Sequence, residues 1–242
     1  MIVDDLLQQA NSRLSKRQIA DVRIGLGYTA VLLDDGGCGL AGTMTEGAIS
    51  CCTYLGGAGE LIGKDAAAVA AYALLPDAVA ATLGVATLNA ALNQGGDPSP
   101  DPLTVLPIDG ATVGMVGYFE PYIPILKERA KRMYVFERRP LSPEVLPDWA
   151  AERILPECDV IILTALSLIN KTIDHLLGLA QGDVAIIGPT TPMSQVFGEY
   201  GVQHLFGSIV TAPEAVLRIV SQAGGTQRFG TAIRKIYQKV GG

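Results

Sequence analysis

The protein has 242 residues, 49% of them hydrophobic and 17% charged, with a formal net charge of −6. That apolar content supports a substantial core and argues against a disordered chain. The acidic balance, with no lysine- or arginine-rich face, argues against nucleic acid as a partner.

The first residues, MIVDDLLQQANSRLSKRQ, open with two acids, are amphipathic and predict a helix over 4–14. They lack the basic start and apolar run of a secretion signal. Residues 22–27 and 29–33 read as strands, followed by turn residues at 34–37. The glycine-rich GCGLAGTMTEG is expected to be partly extended. Residues 64–74 and 76–92 read as alanine-rich helices, with Pro76 suited to a first turn. Their apolar runs are broken by Pro76, Asp77 and Asn89 and fall short of the roughly 20 residues a membrane helix needs. A soluble cytoplasmic protein is expected, and its four cysteines fit reduced thiols there.

The segment NQGGDPSPDP is dense in helix- and strand-breaking residues. It sets the expected boundary between an α+β domain, 1–94, and an α/β domain, 95–242. Beyond it, strands at 112–117, 132–137, 160–164, 184–188 and 204–206 alternate with helices at 121–131, 148–155, 171–180, 193–201 and 213–223. A last helix is expected over 232–239, where RKIYQK reads as a solvated helix face. Short, continuous, β-branched strands alternating with helices predict a parallel, doubly wound sheet.

In such a sheet, ligands bind beyond the carboxyl ends of the strands. At the first strand end, Gly114 and Gly117 permit close backbone approach, but GMVGYFE lacks the glycine pair of a dinucleotide site. Glu120 stands where a pyrophosphate would lie, and there it caps a helix or faces a cationic substrate. An ordinary NAD or FAD site is therefore disfavoured. Glu137 closes the second strand near the spacing at which an acid meets ribose hydroxyls; an ion pair with Arg138 or Arg139 is the plainer alternative. In TALSLINKT, Thr164, Ser167, Asn170, Lys171 and Thr172 could hold a carboxylate, a phosphate or a polar ring. Asn170 or Thr172 could equally cap the next helix. In GPTTP, Pro189 and Pro192 stiffen a loop in which Thr190 and Thr191 offer pocket-wall hydroxyls or a simple turn. Asn89, polar inside an alanine-rich helix, needs partners. With Glu46 it is a candidate at the domain interface, where pockets favour forming.

Nucleophile and metal signatures are missing: there is no G-x-S-x-G, H-E-x-x-H or C-x-x-C. His175 and His204 read as structural or surface residues. Cys51 and Cys52 read as small buried hydrophobes and Cys158, before the third strand, as core; Cys38 is counted only among the reduced thiols.

Together, VGMVGYFEP, VFERRP, DVIILTALSLINKTIDHLL and IIGPTTPM resemble the family labelled "putative heavy-metal chelation", over most of residues 101–223. GLAGT and GVATLNAAL extend the likeness, less specifically, into the first half. The resemblance implies a small enolase-N-terminal-like domain followed by a Rossmann-like domain, with a site between them. It implies condensation or hydrolysis of a flavin-, pterin- or siderophore-like metabolite, and it carries over Gly117, Glu120, Glu137, Thr164, Asn170, Thr172, Pro189 and Thr190. Ala165 departs from the pattern, which has glycine after the strand-ending threonine. The metal label finds no cage in these residues. The expected catalytic groups are Glu120 and Glu137, with Asn170 and Lys171 steadying negative charge. The alternatives are a non-catalytic metallophore or metal-complex binding protein and an S-adenosylmethionine-dependent methyltransferase. No cofactor is assigned, and alanine-rich helices suit a homodimer.

Overall fold

The computed structural model describes residues 1–45, 53–139 and 142–241. Helix α1 (Ile2–Leu14) carries Asp4 and Asp5 in its first turn, where acids complement the helix dipole, and buries Ile2, Val3, Leu6, Ala10 and Leu14. Strands β1 (Ile19–Ile24), β2 (Tyr28–Leu33) and β3 (Cys38–Gly42) form an antiparallel meander. Helix α2 (Ala66–Ala70) starts at Asp65, whose carboxylate accepts from the Ala68 N–H at 2.8 Å. Helix α3 (Ala78–Leu92) starts the same way, Asp77 accepting from Ala80 at 2.7 Å. Pro76 therefore precedes the cap instead of sitting in the first turn.

Every residue of α3 from Val79 to Ala91 is buried. A helix apolar all round belongs inside a core. Glycine and alanine give it the slim profile this position requires: a Cβ on Gly39 of β3 would lie 2.1 Å from the Ala86 carbonyl oxygen, and one on Gly84 would lie 2.0 Å from the Ala73 nitrogen.

The second half contributes β4 (Asp97–Pro98), α4 (Pro102–Val105), β5 (Thr112–Val116), α5 (Ile123–Arg129), β6 (Arg132–Glu137), β7 (Val145–Pro147) and α6 (Ala151–Ile154). It continues with β8 (Val160–Thr164), α7 (Ile173–Leu179), β9 (Asp183–Ile187), α8 (Val196–Glu199), β10 (His204–Val210), α9 (Pro213–Ser221), α10 (Thr226–Phe229) and β11 (Ile233–Lys239). The strands form one eight-stranded sheet in the order β4-β11-β10-β9-β8-β5-β6-β7. All neighbours from β10 to β7 pair in parallel, while β11 and β4 run antiparallel along one edge. Chain order reverses between β5 and β8, the switch point at which α/β sheets open a crevice.

The expected helix over 232–239 is instead β11, paired with β10 along all seven of its residues. Ile233, Ile236, Tyr237 and Val240 do recur at helical spacing. Isolated helices this short are marginal in water, however, and the edge of β10 offers a full ladder of partners. Helices expected at 121–131, 148–155 and 193–201 shrink to α5, α6 and α8, flanked by 3-10 turns or irregular backbone.

One apolar core spans both halves, joining Leu6, Val31 and Leu83 to Ile161, Phe197 and Leu205. On its other face the meander packs against α9, where Ala30 and Leu40 meet Val216, Leu217 and Val220. Among the described residues, no helix is long and apolar enough to cross a membrane.

Candidate functional site

A cleft of about 690 Å3 lies beyond the carboxyl ends of β5, β6, β8 and β9. Its opposite wall comes from the meander, through Gly27, Tyr28 and residues 42–45. That volume falls in the range of metabolite pockets.

Gly117, directly after β5, has a φ of +99°, and a Cβ there would lie 2.9 Å from the Cβ of Thr164. Only glycine lets the two strand ends approach so closely. The turn aims the Tyr118 N–H at Glu137, which accepts it at 2.7 Å through Oε1. Glu137 Oε2 makes no hydrogen bond among the described residues. Beyond β8, Ser167 Oγ donates to the Thr164 carbonyl at 2.7 Å, folding the loop back on itself. Asn170 Oδ1 accepts from Thr172 through Oγ1 at 2.7 Å and through the backbone N–H at 3.2 Å. The group Asn170 can present to a ligand is therefore its NH2.

The loop after β9 is held from the other half of the chain. Thr190 Oγ1 accepts from the Gly42 N–H at 2.9 Å. Asn89 Nδ2 donates to the carbonyls of Thr190 (2.9 Å) and Leu40 (2.8 Å). One helical turn on, Asn93 Nδ2 donates to Thr191 (2.9 Å) and Ser208 (3.2 Å), and its Oδ1 accepts from the Met193 N–H at 2.8 Å. Asn89 of α3 and Asn93 at its C-cap thus fix the loop that carries Pro189 and Thr190.

The cleft gathers Gly117, Glu137, Thr164, Ser167, Asn170, Thr172, Pro189 and Thr190 from the sequence-based set. The others lie elsewhere. Glu120 is exposed and outside the cleft, because the turn after Gly117 carries it past the rim. Lys171 adopts a φ of +67° and sends its ammonium to the Ala73 carbonyl, and burial lowers its pKa. Thr191 is fully buried behind the loop with its hydroxyl unpartnered. Asn89 is a buried brace and does not line the cleft. Glu46, Cys51 and Cys52 lie outside the described residues.

Several lining residues carried no sequence signal toward this role: Tyr28, Thr43, Trp149, Glu152 and His175. His175, expected to be structural or surface, does lie exposed, and it stands on the cleft wall with Nε2 2.5 Å from Glu152 Oε1. Arg138 and Arg139 also line the cleft, directly after Glu137. Cys38 and Cys158 are buried, and burial pushes their thiols up to about 12 and about 11, so neither offers a thiolate. Among the described residues, no three or more His, Cys, Asp or Glu side chains cluster closely enough to hold a metal ion.

A family model described as "Putative heavy-metal chelation" matches residues 101–239, and a second with the same description matches residues 7–92. An uncharacterised protein of Methanocaldococcus jannaschii is 27% identical over 99% of this chain and 98% of its own length. Crystal structures of proteins of unknown function from Desulfitobacterium hafniense and Pyrococcus horikoshii superpose with TM-scores of 0.84 and 0.86. Each is 24% identical; they cover 98% and 99% of this chain and 98% and 100% of theirs, so the fold is shared from end to end.

Proposed function

The chain belongs to the "Putative heavy-metal chelation" family, and from that premise we propose that its cleft binds a small polar or heteroaromatic metabolite of flavin-, pterin- or siderophore-like chemistry. Residues 1–94 and 95–242 act as two domains whose facing surfaces make the walls. The observation that carries this reading is the convergence of Glu137, Asn170 and Thr190 on one cleft at the switch point of the sheet. Glu137 accepts from a hydroxyl or ring N–H, the Asn170 NH2 donates to a carbonyl or ring nitrogen, and Tyr28 and Trp149 cover apolar ring surface. Where the metabolite is condensed or hydrolysed, Glu137 is the acid–base group, since it is the carboxylate fixed at a strand end beside the bound molecule.

Native mass spectrometry of the purified protein identifies the occupant, and calorimetry then measures its affinity. Glu137→Gln should weaken binding about tenfold or more, the worth of one hydrogen bond to a charged group. Glu120→Gln should leave it unchanged. Equal affinity in wild type and Glu137→Gln would reject the proposal.

A further inference from the structure

Among the described residues no cluster of three metal-ligating side chains forms, yet one nitrogen and one oxygen donor stand side by side on the cleft wall. Glu152, on α6, and His175, on α7, come from separate elements and meet with Oε1 and Nε2 2.5 Å apart. Both line the same cleft as Glu137 and Asn170. Their side chains stay 53% and 59% exposed. A polar contact this open contributes little to stability, so the fold does not require it. An ion inserted between the two atoms would spread them to roughly 3 Å, a small move for exposed side chains. The surroundings suit a cation: Glu137, Asp148 and Glu152 share the lining with Arg138 and Arg139, an excess of acid. Imidazole and carboxylate donors suit borderline divalent metals such as nickel, zinc or copper.

We infer that His175 and Glu152 form a half-site for a divalent metal that arrives already chelated, the remaining coordination positions being filled by donors of the metabolite in the cleft. The inference deepens the proposed function and rests on it. It also reconciles the family description with the absence of a three-donor cluster among the described residues: the chelator is the bound molecule, and the protein supplies the last two donors.

The probe is the nickel–nitrilotriacetate complex, which keeps two adjacent coordination positions open, titrated by calorimetry into untagged protein. Wild type should bind the complex and ignore metal-free nitrilotriacetate. His175→Ala and Glu152→Gln should each weaken binding about tenfold or more. The chain has only two histidines, so nuclear magnetic resonance adds a direct readout. Paramagnetic nickel should broaden the His175 imidazole signals and spare those of His204. No binding by wild type, or equal binding by both variants, would overturn the inference. So would broadening confined to His204. If the purified occupant still depends on Glu137 while any of these negative results holds, only the metal half-site falls and metabolite binding stands. If the occupant ignores Glu137, the proposed function itself falls.

Discussion

Replacing Asn89 with alanine removes one amide that serves both halves of the chain. The Leu40 and Thr190 carbonyls lose their donor. Each buried acceptor left unpaired costs about 1–3 kcal/mol. Part of this is offset, because Asn89 Oδ1 is itself buried without a partner and its removal relieves that penalty. The net expectation is a loss of roughly 2–4 kcal/mol, a large share of the ~5–15 kcal/mol of a typical domain. The assay is urea unfolding followed by circular dichroism, where the midpoint should fall at constant slope. The melting temperature should drop by about 10 °C at this chain length. Binding of the cleft's occupant should weaken too, because the freed loop carries Thr190. A loss below about 0.5 kcal/mol would refute the reasoning and mean that water or a shifted backbone satisfies both carbonyls.

Two glycines of β3 should respond differently to alanine. In Gly39→Ala the new Cβ meets the backbone of α3 at 2.1–2.2 Å, which cannot yield without moving the helix, so soluble expression should be lost or stability fall by about 3 kcal/mol or more. In Gly42→Ala the nearest atom is the end of the Leu166 side chain at 2.7 Å, which can rotate. That variant should fold, lose about 1 kcal/mol in the same urea assay, and bind the occupant more weakly because its methyl narrows the cleft. His204 gives the stability a pH dependence. Burial, aided by Lys239 and opposed by Asp183, holds its pKa below the ordinary value. Its contribution is therefore fully present above about pH 6.5 and is lost as the pH falls below that, where the unfolded chain takes up the proton first. Urea midpoints at pH 7.5 and 5.5 should differ more for wild type than for His204→Gln; an equal difference would refute this.

The parallel sheet was legible because each central strand is a short β-branched run with both faces covered. Residues 132–137 and 160–164 correspond to β6 and β8 without adjustment. β11 was misread because Ile233, Ile236, Tyr237 and Val240 satisfy a helical period, and only the presence of β10 beside it decides for strand. The strand-end residues of the cleft were legible for a topological reason: whatever follows a parallel strand lies at its carboxyl end. The other wall was not. Tyr28 and Thr43 reach the cleft because α9 and α3 clamp the meander against the sheet, a tertiary fact with no local pattern. Glu152 and His175 are 23 residues apart and meet only because consecutive crossovers on one side of the sheet lie next to each other. Lys171 shows the converse. Its position in the loop suggested an anion partner, but its left-handed backbone turns the side chain toward Ala73 and leaves the cleft to Asn170 and Thr172 on either side.

Trp149 is the chain's single tryptophan, and it stands on the cleft wall 70% exposed. Its indole emission therefore comes from one place, and that place is where an occupant must displace water. A blue shift or quenching on mixing reports filling of the cavity with no dye attached, so libraries of small molecules can be screened optically against the unmodified polypeptide.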